Sequence, residues 1–146
     1  MEPSEQRTFP ARMAMLAETA TFVETFCARA GVSRDDALRL TLIVEELFTN
    51  TVAHGHGGDC DAPVAVALAA REDALLLYFE DCAPAFDPGP RMAAGPAALE
   101  APLEARPVGG LGMHLVARLA HHVRYAYEDG RNRLWIELRR SPQEGR

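Results

Sequence analysis

Between residues 38 and 55 the chain reads LRLTLIVEELFTNTVAHG, and the spacing of its apolar positions predicts a helix covered on more than one side. At 100° per residue Leu40, Val44, Leu47 and Thr51 form one stripe, while Leu38, Leu42, Phe48 and Val52 occupy much of the opposite side. Glu46 and Asn50 interrupt this apolar surface four residues apart and so share a face, with His54 one further turn along. A carboxylate and an amide in such surroundings need partners, because burying either alone costs free energy. Two readings follow from these residues: the pair bridges neighbouring elements, or it belongs to a site that binds something.

The remaining elements follow from the same kind of pattern. Residues 1–10 form a lead-in with an edge strand near residues 7–9, and residues 11–30 carry Met15, Leu16, Phe22, Val23 and Phe26 at helical spacing, stopped by Gly31. Ser33, with Asp36 three residues on, resembles a capping box and starts the central helix, expected over about residues 34–54. Residues 54–61, HGHGGDCD, read as a loop; His54, His56 and Cys60 are metal-ligand types, but their spacing matches no common zinc pattern and the loop reading is preferred. Residues 63–70 and 74–81 predict a hairpin across Arg71-Glu72-Asp73, with Val64, Val66 and Leu68 on one face and Asp81 at the end of the second strand. Six of the ten prolines then fall at positions 84, 88, 90, 96, 102 and 107, where no periodicity survives, and this predicts a lid loop at about residues 84–108. A glycine-rich stretch from Val108 opens a helix over residues 113–122, with Leu115, Val116 and Leu119 at helical spacing; glycines there let a phosphate approach backbone N–H groups at the positive end of the helix. Strands over residues 123–128 and 133–140 close the chain around Asp129-Gly130, with Trp135 expected in the core and His121 and His122 on the surface.

Two helices, a hairpin, a third helix and a closing hairpin predict an α/β (α+β) two-layer sandwich, three helices packed on one face of a mixed, mostly antiparallel sheet. With 146 residues, 48% hydrophobic and 25% charged, the chain is expected to form a single domain over residues 1–146. A formal charge of −6 argues against direct nucleic-acid binding, and no apolar run or leader pattern points to a membrane, so a cytoplasmic location is expected. Cys27, Cys60 and Cys82 are odd in number and lack a Cys-x-x-Cys pair, so they are taken as reduced thiols. All 15 basic side chains of the Lys and Arg class are arginines, which excludes a phosphate-loop lysine and a Schiff-base lysine.

In chain order stand Glu46-x-x-x-Asn50 on a helix, Asp81 at a strand end, a long lid, and Gly110-x-Gly112 opening another helix. This order resembles the Bergerat-type ATP-binding domain of the superfamily that includes gyrase, histidine kinases and mismatch-repair ATPases, whose nucleotide site needs no phosphate-loop lysine. Within that superfamily the chain most resembles the single-domain anti-sigma-factor serine/threonine protein kinases of bacteria, from about residue 10 to residue 140. The resemblance implies ATP and Mg²⁺ as cofactors, with Glu46 of EELFTN as general base and Asn50 as ATP contact and Mg²⁺ ligand, the motif continuing into His54-Gly55. Asp81 of EDCAPAFDP matches the aspartate that accepts a hydrogen bond from the adenine amino group, with Ala83 and Phe86 in the same ATP-binding stretch. The segment RPVGGLGMHLV matches the second glycine box and implies that Gly109, Gly110, Leu111, Gly112 and Met113 lie near the phosphates and that Arg106 reaches the γ-phosphate from the lid. YEDGRNRLWIEL resembles the family's closing hairpin. One departure stands out: the family's Asp-x-Gly is here Asp81-Cys82-Ala83, where a Cβ is expected to crowd the turn and Pro84 to push Ala83 toward extended backbone.

By this resemblance the chain is an ATP-dependent kinase that phosphorylates a serine on an anti-sigma antagonist and sequesters a sigma factor, with a second copy of the chain as a further partner. Its apolar helix is expected to desolvate Glu46 and raise its proton affinity, as suits a base. The alternative, favoured by Ala83, is a non-catalytic module that holds ATP, or no nucleotide, and acts by protein contact. A detached histidine-kinase catalytic domain is disfavoured, since no phosphoacceptor helix hairpin fits in this length.

Overall fold

The computed structural model describes residues 3–86 and 110–142, with residues 110–114 described by their main chain alone. Its elements are β1 (Ser4–Pro10), a 3₁₀ turn (Met13–Met15), α1 (Leu16–Arg29), α2 (Arg34–Asn50) continued by a π-type turn (Thr51–Gly55), β2 (Pro63–Ala70), β3 (Ala74–Asp81), α3 (Gly110–Leu119), β4 (His122–Glu128) and β5 (Arg131–Arg139). The strands form one sheet in the order β1-β2-β3-β5-β4, and every pairing is antiparallel, so the expected mixed sheet has no parallel pair among the described residues. α1 and α3 both pack against α2, which makes α2 the central helix of the covering layer.

Local chemistry sets the boundaries. Gly31 takes a left-handed conformation at φ +71°, and this lets the Val32 N–H donate back to the Cys27 carbonyl at 2.9 Å, closing α1. Ser33 Oγ accepts from the Asp36 N–H at 3.2 Å as the N-cap of α2. The Asp36 carboxylate does not reach back to complete the expected capping box. It is fully buried and accepts from the Ser141 N–H at 2.8 Å, from Ser141 Oγ at 2.9 Å and from Arg39, tying the end of the last strand to the start of α2. Burial alone would raise this carboxyl, but the bonds from Arg39 and Ser141 outweigh it and hold it below its ordinary range. At the closing hairpin Asp129 (φ 53°) and Gly130 (φ 72°) both sit in the left-handed region, the geometry of a two-residue turn that matches strand twist.

Period-two alternation aims Val64, Val66 and Leu68 of β2, Leu75, Leu77 and Phe79 of β3, and Leu134, Ile136 and Leu138 of β5 at the helices, where all are buried. α2 meets them with Leu40, Ile43, Val44, Leu47 and Phe48. Phe9 of β1 packs edge-on against Phe22 of α1 at 6.0 Å and Phe48 of α2 at 6.4 Å between ring centroids, so one edge strand is fastened to two helices. Truncating such a ring to alanine costs about 3–5 kcal/mol.

Three expectations change. Regular α-helix stops at Asn50 rather than continuing to residue 54, because the next turn is π-type, and α3 starts and ends three residues earlier than its apolar spacing predicted. Trp135 is not in the core. It is out of phase with Leu134 and Ile136, and lies half-buried on the helix-free face of the sheet, 5.3 Å from Tyr78 with the Arg124 guanidinium 3.9 Å above its ring. The expected lid falls almost wholly outside the described residues.

Candidate functional site

The alternation that buries Leu75, Leu77 and Phe79 also turns Asp81 inward, so the last inward position of β3 is a carboxylate rather than an apolar side chain. β5 places Asn132 directly opposite it, in phase with Leu134 and Ile136, and the end of α2 delivers Thr51 from above. Asp81 is 8% exposed and Asn132 7%, and both accept or donate several hydrogen bonds. Asp81 Oδ2 accepts from Thr51 Oγ1 at 2.8 Å, and Oδ1 accepts from the Ala83 N–H at 3.0 Å and from Asn132 Nδ2 at 2.9 Å. Asn132 Nδ2 also donates to the Ala83 and Pro84 carbonyls, and its Oδ1 accepts from the Phe86 N–H at 2.9 Å and from the Tyr125 hydroxyl at 2.5 Å. One buried amide therefore gathers the whole 81–86 turn.

These groups border a cavity of about 230 Å³, lined on the helix side by Asn50, Thr51 and His54 and on the strand side by Asp81, Ala83 and Phe86. Pockets that take whole drug-sized ligands measure roughly 300–1,000 Å³, so this cavity takes only part of such a ligand. A larger concavity, about 810 Å³, lies on the opposite, helix-free face of the sheet around Tyr78 and Trp135 and includes no residue of the Asp81 turn.

Ala83 does not crowd its turn. Its φ is not positive, so the turn does not require glycine, and its main chain makes hydrogen bonds on both sides. The methyl group is buried against the main chain of Gly55, where an added Cβ would stand only 3.0 Å from the Ala83 Cβ. The small residue that the family pattern puts at position 83 is effectively met by glycine on the facing helix end.

Along α2, Glu46 lies one turn before Asn50. It does not line the cavity, whereas Asn50 and, within the π-type turn, His54 do. Five positions along the helix axis put Glu46 about 7.5 Å from Thr51. Burial, and secondarily the charge of Glu45, pushes the Glu46 carboxyl above its ordinary value, as its apolar surroundings lead one to expect. Asn50 Nδ2 is buried without a hydrogen-bond partner, an amide poised for something other than the described protein. No group of three or more His, Cys, Asp or Glu side chains able to hold a metal occurs among the described residues. A Mg²⁺ ion, which keeps several waters and binds through one or two protein oxygens plus phosphates, fits the single amide oxygen of Asn50 better than a dedicated protein cage.

Of the residues singled out in the sequence, the structure brings Asn50, His54, Asp81, Ala83 and Phe86 to one cavity and sets Glu46 one turn away. Gly110, Leu111, Gly112 and Met113 form the opening of α3, while Arg106 and Gly109 lie outside the described residues. Thr51, Tyr125 and Asn132 were missed. Thr51 was counted into the apolar stripe. Asn132 carried a usable signal, since it breaks the row of inward-facing positions that Leu134, Ile136 and Leu138 continue.

The model of the histidine kinase-like ATPase domain matches residues 9–138. This chain belongs to that family. Among curated relatives of this ATPase-domain protein is a serine-protein kinase, RsbW, from Listeria monocytogenes, 32% identical over 104 residues that cover 70% of this chain and 66% of the relative, just under two thirds of its length. RsbW of Bacillus licheniformis is 31% identical over 104 residues, covering 70% and 65%. The RsbU and RsbW domains of a Mycobacterium tuberculosis protein share the fold with a TM-score of 0.67 at 15% identity, over 97% of this chain and 33% of that one. The SiaB–SiaC complex of Pseudomonas aeruginosa gives a TM-score of 0.64 at 13% identity, over 92% and 88%. The two-layer fold expected from the sequence is thus the fold of these neighbours.

Proposed function

We propose that this chain is an ATP-dependent serine kinase of the anti-sigma type, which binds the adenine of ATP against Asp81 and transfers the γ-phosphoryl group to a serine on an anti-sigma antagonist protein. The observation that carries the reading is the convergence of Asp81, Asn50 and His54 on one cavity at the end of an apolar helix bearing a desolvated carboxylate, Glu46. The relatives' name, serine-protein kinase, supports the choice of acceptor.

In this reading Asp81, acceptor-only when ionised, takes a hydrogen bond from the adenine amino group, and Asn50 lends its amide oxygen to Mg²⁺. Mg²⁺, when bound, neutralises charge on the β- and γ-phosphates. Glu46 takes the proton from the acceptor hydroxyl as that oxygen bonds to the γ-phosphorus; the bond from phosphorus to the β,γ-bridging oxygen breaks and ADP leaves. Sequestration of a sigma factor is part of the same proposal, the antagonist's phosphorylation state deciding whether it competes for the kinase.

The test is transfer of labelled phosphate from ATP to a serine-bearing candidate antagonist, with the same protein carrying alanine at that serine as control. Label on the parent antagonist alone is the expected result. Tight antagonist binding without transfer, in the presence of ATP and Mg²⁺, would instead favour the non-catalytic module.

A further inference from the structure

Asp81 has two oxygens with different surroundings, and the difference originates in one residue of the closing hairpin. Oδ1 is saturated by the Ala83 N–H and by Asn132 Nδ2, while Oδ2 accepts, among the described residues, from Thr51 Oγ1 alone and keeps a lone pair. Asn132 has no such spare capacity. Its Nδ2 serves Asp81 and two carbonyls of the following turn, and its Oδ1 holds the Phe86 N–H and the Tyr125 hydroxyl. Being 7% exposed, it is part of the cavity wall rather than a side chain free to turn toward a ligand.

We infer that Asn132 is the positioning residue for base selection: it locks Asp81 so that Oδ2 alone faces the incoming base, and thereby makes the cavity selective for a purine that donates from an exocyclic 6-amino group. This rests on the nucleotide-binding reading above. A carboxylate free to rotate could present either oxygen, or turn toward water, and would pay little when the donor is missing. Held between Thr51 and Asn132, it cannot follow the ligand, so a base lacking the amino group leaves a buried charged acceptor unpaired, and a base with a carbonyl there opposes two acceptors. The clamp needs an amide at 132, because only an amide donates to Asp81 and to the turn carbonyls while accepting from the Phe86 N–H.

The experiment compares dissociation constants for ATP and for purine riboside triphosphate, which is ATP without the 6-amino group, in the full chain and in Asn132→Asp, with unfolding midpoints recorded for both proteins. Asn132→Asp preserves shape and the acceptor oxygen but exchanges the amide donors for a second carboxyl beside Asp81, so Asn132→Leu, which removes the donors without adding charge, is measured beside it and the ratio should fall in both. In the parent, ATP is expected to bind about ten- to a hundredfold tighter than the analogue, and in the variant this preference should fall below about threefold. A merely structural role would weaken both nucleotides in parallel and leave the ratio intact, which would overturn the inference while leaving the nucleotide reading standing. Should Asn132→Asp fail to fold, Tyr125→Phe, which removes the hydrogen bond that the Tyr125 hydroxyl donates to Asn132 Oδ1, is expected to lower the same ratio partially, and an unchanged ratio there counts against the clamp. If the parent bound neither nucleotide, the nucleotide-binding reading would fail and this inference with it.

Discussion

Around Asp81 both carboxylate oxygens have protein donors before any ligand arrives, whereas at the neighbouring turn of α2 Asn50 Nδ2 is buried without a partner and Glu46 is pushed toward its neutral form. The first region is pre-organised: its hydrogen bonds already hold the acceptor in place, so little order has to be created on binding. The second has an amide donor without a partner among the described residues, and its oxygens, Asn50 Oδ1 and the Glu46 carboxylate, are of the kinds that hold a hard cation and accept a proton. On the proposed reading, the contrast divides the site into a half that recognises the base and a half that is completed by the charged part of the ligand.

The largest expected effect breaks the reactive half alone. Glu46→Gln keeps shape and most hydrogen bonding but cannot serve as a base, so phosphotransfer should fall by roughly 10²-fold or more while ATP affinity stays nearly unchanged. Glu45→Gln is the control; it points about 100° round the helix and should retain most activity. Loss of transfer in Glu45→Gln and not in Glu46→Gln would mean that the helix face had been read wrongly.

Breaking the recognition half should show in binding instead. Asp81→Asn places an amide among three donors, those of Thr51, Ala83 and Asn132, and is expected to weaken ATP by about ten- to a hundredfold. Calorimetric titration measures it, and an affinity within twofold of the parent would remove Asp81 from recognition. A smaller effect tests the seam between the two halves. Gly55→Ala should destabilise the parent by about 1 kcal/mol in chemical denaturation, because its Cβ would meet that of Ala83 at 3.0 Å, and the cost should largely vanish in an Ala83→Gly background. Equal costs in both backgrounds would show that the two positions are not coupled.

The smallest effect concerns stability and pH. Since Glu46 is raised above its unfolded value, its ionisation opposes folding: the penalty is absent below the ordinary glutamate range and grows as pH rises through the raised value. Glu46→Gln should therefore melt slightly above the parent at neutral pH and level with it below about pH 4. A variant less stable than the parent at pH 7 would contradict the desolvation of this carboxylate.

Much of the fold was legible because each element obeys a single periodicity: period two in β2 and β3, helical spacing in α1 and α2, and glycine where φ is positive at Gly31 and Gly130. Asn50 was legible as a polar break in an apolar helix, and Asp81 from its place at a strand end together with the family motif. What local pattern could not supply was the order of strands. Asn132 stands beside Asp81 only because β5 inserts next to β3 with position 132 opposite position 81. Trp135 was misplaced for a related reason, as burial was inferred from its size when its phase in β5 sends it to the helix-free face. Ala83 looked disruptive because its partner, Gly55, sits on a different element, and no reading of the turn alone reveals that the space had been vacated there.

The division of the site is tested most directly by titrating the parent chain with adenosine and with ATP, each with and without Mg²⁺, in a calorimeter. Adenosine should bind through the pre-organised half with an affinity indifferent to Mg²⁺, and ATP should bind more tightly with Mg²⁺ than without it, a gain that Asn50→Ala should diminish. No heat with ATP in the presence of Mg²⁺, or a Mg²⁺ gain untouched by Asn50→Ala, would contradict the account.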